Sequence, residues 1–135
     1  MILFIDSDVI LDSLLQREPF NVYSSLVLDL SKKKTAYQLV TTSICIANIT
    51  YMLSKSVNKA EASTILTLLL SGIDIIHVSK LSIQNALQSD FTDIEDAYQY
   101  FACKENSVDL IITRNKKDYE LSSIPVVSPV EFLGN

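Results

Sequence analysis

Glycine and proline are nearly missing, at two and three residues in a chain of 135. With only Gly72 and Gly134 present, neither common glycine-rich phosphate loop can be written. That argues against a nucleotide-cofactor enzyme. No linker, low-complexity tract or internal repeat stands out. Histidine occurs once, as His77 after the apolar run Ile73–Ile76, which excludes a histidine-based triad and favours a strand-end residue. The two cysteines, Cys45 and Cys103, lack zinc-site spacing and sit in apolar surroundings, as reduced core thiols do. Apolar runs such as Ile65–Leu70 fall far short of the ~20 residues that span a bilayer. Met1–Ile5 has neither the charged start nor the long apolar stretch of a signal peptide. These absences predict a soluble, cytoplasmic protein. Positive charge is also scarce: 11 basic against 16 acidic residues give a net −5. That argues against a broad basic face for nucleic acid. A nuclease whose carboxylates hold divalent cations is not, because bound metal offsets their charge.

What is present suits one α/β domain over residues 1–135. The chain is 48% hydrophobic, enough for a core. Ile2–Ile5 reads as a buried strand of a parallel sheet. Helical spacing covers Asp8–Gln16 and about Tyr23–Lys33, where Lys32-Lys33-Lys34 favours a helix end or contacts an acidic partner or RNA phosphate. Strands are predicted at Gln38–Thr42, Ile73–Val78, Asp109–Thr113 and Val126–Val127. Helices are predicted at Ser43–Ser54, Lys59–Leu70, Leu81–Gln88 and Asp93–Lys104, with a short one from Pro129. This alternation predicts a three-layer α/β/α fold around a mostly parallel sheet of four to five strands. Ligands in such sheets bind beyond the carboxyl ends of the strands. That rule selects Asp6, Asn48, Asp96, Asn115 and Asp118.

Three polar groups lie there. Asp6 ends the first apolar strand, and burying its charge in the core would cost heavily. Asp8 is either the cap of the next helix or a second site acid. Thr92-Asp93-Ile94-Glu95-Asp96 holds a possible capping box in Thr92 and Glu95, which leaves Asp96 unexplained. Asp93 and Asp96 share a helix face at a three-residue spacing. The third group, Thr113-Arg114-Asn115-Lys116-Lys117-Asp118-Tyr119, follows a strand and reads as a turn or a site loop. Hard oxygen ligands suit Mg²⁺ or Mn²⁺. Such ions activate water and stabilise phosphodiester cleavage.

The pattern resembles a known family. Phe4-Ile5-Asp6-Ser7-Asp8-Val9-Ile10-Leu11-Asp12 is similar to the opening of PIN domains, D-[TS]-[NS]-V-L-L-D after apolar residues. Ile94-Glu95-Asp96-Ala97 resembles their central acidic motif, and Ile112–Tyr119 resembles their TRNxxDF segment. Pro125–Leu133 resembles their IPVLTPEEFL ending. The resemblance implies a Mg²⁺- or Mn²⁺-dependent endoribonuclease, like the VapC-like toxins of toxin–antitoxin pairs. It implies Asp6, Asp96 and Asp118 as catalytic, metal-binding carboxylates. Asn48, Asp93, Thr113 and Asn115 would support them, and Arg114, Lys116 and Lys117 would contact RNA. A homodimer and a small antitoxin partner are implied too. In one place the chain departs from the family, since Asn48 stands where a glutamate is usual. An amide oxygen can ligate a cation but adds no charge, so weaker metal binding is expected.

Two other readings compete. A PIN-like module with a degraded site would bind RNA or a partner without cutting. Asp6-Ser7-Asp8-Val9 also fits part of the D-x-D-x-[TV] motif of haloacid-dehalogenase-like phosphatases, but Ile10 breaks it and the usual glycine-aspartate motif is absent.

Overall fold

A computed structural model describes residues 1–33 and 36–134. Lys34, the last lysine of the basic cluster, lies outside them, while Lys32 pairs with Asp29 at 3.2 Å. Five strands form the sheet: β1 (Ile2–Ile5), β2 (Gln38–Thr42), β3 (Asp74–Ile76), β4 (Leu110–Ile112) and β5 (Val126–Val127). Their order is β3-β2-β1-β4-β5, and each pairing is parallel. The expected fold class is thus found. Leu3, Phe4 and Ile5 of the central strand are fully buried, as are Ile111 and Ile112 beside them. A strand covered on both faces needs this unbroken apolar run.

The helices are α1 (Ser7–Leu14), α2 (Asn21–Leu28), α3 (Ser43–Leu53), α4 (Lys59–Leu70), α5 (Lys80–Leu87), α6 (Ile94–Glu105) and α7 (Pro129–Leu133). Helices α1, α2, α3, α4 and α7 pack on one another, and α5 packs on α6, which gives the two outer layers. Short 3-10 turns occur at Asp29–Lys32 and Lys116–Tyr119. The predicted second helix therefore ends earlier than Lys33, tightening into its 3-10 turn after Leu28.

Two caps differ from the sequence reading. Asp6, not Asp8, caps α1: its extended backbone at the end of β1 lets the carboxylate accept from Ser7 N–H at 2.8 Å. Asp93, not Thr92, caps α6 by accepting from Asp96 N–H at 3.1 Å, so Thr92 and Glu95 form no capping box. A capping box does form at α7, between Ser128 and Glu131.

The order of the strands fixes the site. From β1 the sheet extends through β2 to β3 on one side and through β4 to β5 on the other. The strand order reverses between β1 and β4, and that crevice is where open α/β sheets bind ligands.

Candidate active site

Asp6 and Thr113 are the first residues past β1 and β4, on the two sides of the crevice. The ladder runs right up to them: Asp6 N–H donates to the Ile112 carbonyl at 3.1 Å, and Thr113 N–H to Val127 at 3.0 Å. Both side chains are thereby fixed by backbone. Asp6 is 5% exposed and Thr113 is fully buried.

The Asp6 carboxylate is held by neutral donors. Besides Ser7 N–H, it accepts from Thr113 Oγ1 at 3.0 Å and from the Tyr119 hydroxyl at 3.1 Å. The Cys45 thiol lies 3.8 Å from Asp6 Oδ1. Tyr119 also reaches Asp96 Oδ1, at 3.3 Å. A phenol has one proton, so two carboxylates converge on a single donor. Gln99 stands behind Asp96, one helical turn on, its Nε2 at 3.5 Å from Asp96 Oδ1. Its own oxygen accepts from the Thr42 hydroxyl at 3.2 Å and from the Cys45 thiol. One network thus joins the ends of β1, β2 and β4 to α3 and α6.

Among the described residues no cation forms an ion pair with Asp6 or Asp96. Burial, chiefly, and then the Asp118 charge push the Asp6 carboxyl above its ordinary value despite its hydrogen bonds. Asp96 is pushed up to about 8, first by burial, then by the charges of Asp6, Asp93 and Asp118. Asp8 rises to about 7 through burial and the nearby Asp6 charge. Asp8 accepts from Arg114 N–H at 3.1 Å and Thr113 Oγ1 at 3.4 Å, while its Oδ1 is buried with no partner. Burial raises the Cys45 thiol to about 12, so it serves as a neutral donor and not a nucleophile.

One turn beyond Asp8, Asp12 is fully buried yet fully paired. Arg114 grips it at 2.6 and 3.1 Å, and Arg17 approaches to 3.7 Å. The Arg114 guanidinium also stacks 4.0 Å over the Phe20 ring. The first and third sequence motifs are therefore clamped together by this ion pair. Two of the donors of Arg114, which was expected to contact RNA phosphates, are committed to Asp12, because a buried carboxylate must be compensated.

The other expected residues lie around this centre. Asp118 is exposed on the 3-10 turn and acts on Asp6 and Asp96 through its charge. Asp93 is exposed at the cap of α6. Asn48 is half-buried on α3, one turn past Cys45. Asn115, Lys116 and Lys117 are exposed at the rim, where Asn115 N–H bonds Thr113 Oγ1 at 3.1 Å and Lys116 pairs with Glu131 at 3.0 Å. Tyr119, Gln99, Thr42 and Cys45 were not singled out from sequence as site residues. Gln99 carried a signal: a glutamine one turn from Asp96, within the inward face that holds Ala97 and Tyr100.

The donor set fits a hard divalent cation. A buried and a half-buried carboxylate around one hydroxyl, an unpartnered buried Asp8 oxygen and an exposed Asp118 together supply oxygen ligands and uncompensated charge. The fit is to an open site: among the described residues no three acidic, cysteine or histidine side chains already form a closed ligand cage. A larger hollow of about 640 Å³ between α1, α2 and α4 is lined by none of Asp6, Asp96 or Asp118. The acid cluster, not this cavity, marks the chemistry.

An acidic site at the switch point of a wholly parallel α/β sheet defines the class. A PIN-domain model matches residues 3–117, and the chain belongs to the PIN-domain family. This bears out the resemblance read from its motifs. Over 136 aligned residues the chain is 29% identical to Ribonuclease VapC1 of Aquifex aeolicus (strain VF5), with 96% of this chain and 91% of that protein covered. Its fold is similar to that in VapBC2 from Rickettsia felis bound to a promoter DNA fragment: TM-score 0.71, 19% identity, 95% of this chain and 98% of that one. It is also similar to VapBC-1 from nontypeable Haemophilus influenzae: TM-score 0.70, 17% identity, 96% and 99% covered. Among the described residues no helix is long and apolar enough to cross a membrane.

Proposed function

We propose that this chain, as a single domain, is a Mg²⁺- or Mn²⁺-dependent endoribonuclease and the toxin member of a cytoplasmic toxin–antitoxin pair. The observation that carries the reading is the convergence of Asp6 and Asp96 on the one Tyr119 hydroxyl at the sheet's switch point. The likeness to Ribonuclease VapC1 and to the VapBC structures supports it.

Asp6, Asp96 and Asp118 would hold the ion, with Asn48, Asp93, Thr113 and Asn115 in support. Bound there, it would supply an activated water and offset charge on the phosphodiester. The rest of the work belongs to side chains. Thr113 and Ser7 N–H fix the Asp6 carboxylate, and Gln99 turns Asp96 toward Tyr119. The buried wall formed by Thr42, Cys45 and Gln99 keeps water from the back of the acids. Lys117 and Lys116 lie at the rim, where RNA phosphates would approach. A small antitoxin would cover the acidic cleft with a basic segment, and the toxin would act as a homodimer.

The test is cleavage of a mixed structured RNA by purified protein with Mn²⁺, with Mg²⁺ and with EDTA, beside Asp96→Asn. Metal-dependent cutting that the variant lacks supports the reading. A folded protein that binds RNA and cuts under none of these conditions establishes the binding module, with Asn48 as its mark.

A further inference from the structure

The phenol at the centre of the acid network is held more firmly than one of the acids it joins. The Tyr119 ring is 1% exposed and packs in the hydrophobic core, at the end of the 3-10 turn Lys116–Tyr119. Backbone bonds close the chain on both sides of it: Asp118 N–H donates to the Asn115 carbonyl at 3.0 Å, and Ser122 N–H to the Tyr119 carbonyl at 2.9 Å. In a close-packed interior the hydroxyl is therefore a fixed point and not a swinging arm. Two acids meet there, Asp6 Oδ2 at 3.1 Å and Asp96 Oδ1 at 3.3 Å. The family segment that Ile112–Tyr119 resembles ends in phenylalanine, so the ring is the expected one and the hydroxyl is this chain's addition.

The two acids depend on that hydroxyl unequally. Asp6 has other anchors, in Ser7 N–H at 2.8 Å and Thr113 Oγ1 at 3.0 Å. Asp96 is half-buried on α6, and among the described residues its carboxylate bonds only Tyr119 and Gln99, both through Oδ1. The Gln99 contact, at 3.5 Å, is longer than the usual ~2.7–3.2 Å. Gln99 itself is held, since its oxygen accepts from the Thr42 hydroxyl and the Cys45 thiol, which leaves the amide nitrogen facing Asp96. Of the two contacts the phenol's is the shorter, and it alone also reaches Asp6. Asp96 Oδ2 has no hydrogen-bond partner among the described residues.

We infer that Tyr119 is a positioning residue: its hydroxyl pins one oxygen of Asp96 beside Asp6, so that the other oxygen faces a hard divalent cation shared by the two acids. This rests on the metal-dependent ribonuclease reading and adds to it the group that sets the ligands before the ion arrives. Mg²⁺ accepts only near-ideal geometry, at roughly 2.0–2.1 Å, so a ligand left free to rotate weakens the site. Groups that hold a ligating carboxylate in place are worth about 10- to 100-fold in metal affinity. With Asn48 adding no charge, the site has fewer charged ligands to draw the ion, and the orientation of those that remain counts for more.

The experiment is a calorimetric titration of Mn²⁺ into the metal-free protein and into Tyr119→Phe, which keeps the buried ring and deletes only the hydroxyl. Mn²⁺ affinity is expected to fall about tenfold. Half-maximal RNA cleavage should then need about ten times more Mn²⁺, with the maximal rate nearly kept, because Asp96 is in place once the ion is bound. A hydroxyl that serves only the fold would lower the melting temperature in EDTA and leave Mn²⁺ affinity as it was; that result overturns the inference. A cleavage rate lowered alike at every Mn²⁺ concentration does the same. Should Tyr119→Phe fail to fold, Gln99→Met takes its place: it removes the longer contact to the same oxygen and should weaken Mn²⁺ binding about threefold. Unchanged affinity in that variant is then the overturning result. Mn²⁺ binding weakened by Tyr119→Phe in a protein that never cuts RNA removes the nuclease reading and keeps the positioning role. Metal-dependent cutting with equal Mn²⁺ affinity in parent and variant removes the role and keeps the nuclease. A parent protein that binds no Mn²⁺ removes both.

Discussion

Asp6 and Asp12 stand at the two ends of one eight-residue helix, both buried, and the protein treats them in opposite ways. Asp12 is met by two guanidinium groups. Asp6 is met by an amide, a threonine, a tyrosine and other acids, with no cation among its partners in the described residues. The first arrangement is complete and clamps two segments 102 residues apart. The second keeps negative charge uncompensated where a buried carboxylate is costly. Burial alone, then, does not mark a functional acid; burial without compensation does.

The comparison can be broken most sharply at Asp6. Asp6→Asn keeps the helix cap and removes the charge, so RNA cleavage should fall by about a hundredfold to a thousandfold with little loss of stability. Cleavage assays beside thermal melts check this; a variant that cuts normally ends the assignment. Next in size is the clamp. Arg114→Met leaves Asp12 buried with only the longer Arg17 contact, and should cost about 3 kcal/mol in urea unfolding. Pairing it with Asp12→Leu should recover most of that loss, since an apolar replacement of a buried pair is often neutral.

A third test uses pH. Carboxyl groups raised from 3.8 to about 7 at Asp8 and about 8 at Asp96 favour the folded state when protonated. Their contribution is full below pH ~4 and is lost as pH rises through ~7 to 8. In EDTA the melting temperature should therefore fall between about pH 5 and pH 8, and Asp96→Asn should flatten that decline. Mn²⁺ should protect more at the higher pH, because ligands must be deprotonated. A flat profile in the parent protein would show that the acids are compensated after all. The smallest effect is expected at Asn48. Asn48→Glu adds the charge usual in the family and should tighten Mn²⁺ binding by about tenfold, read by calorimetry.

Much of this was legible in the chain. The run Ile2–Ile5 ending in an aspartate gave both the central strand and Asp6, because a fully covered strand must be apolar until it leaves the sheet. Most helix boundaries fell within one or two residues of the expected ones, as at α3 and α4, where apolar spacing is regular. Caps were less legible, since several neighbouring acids at Asp6–Asp8 and Thr92–Asp96 can each play the part, and backbone geometry decides between them. The partners of the acids were not legible. Tyr119 meets Asp6 across 113 residues and Thr42 meets Gln99 across 57, and no local pattern encodes such contacts. Arg114, read alone, is a loop cation; its commitment to Asp12 follows only from the β1–β4 pairing.

That pairing also sets a timetable. Asp6 leaves the ribosome ahead of Thr113 and Tyr119, which complete its surroundings and come 107 and 113 residues later. At ordinary rates of synthesis the gap is roughly 5–20 s. Until then β1 has no β4 to lie against, and the acids cannot be gathered. Whatever chemistry the site performs therefore waits on the arrival of β4 and of the turn that carries Tyr119.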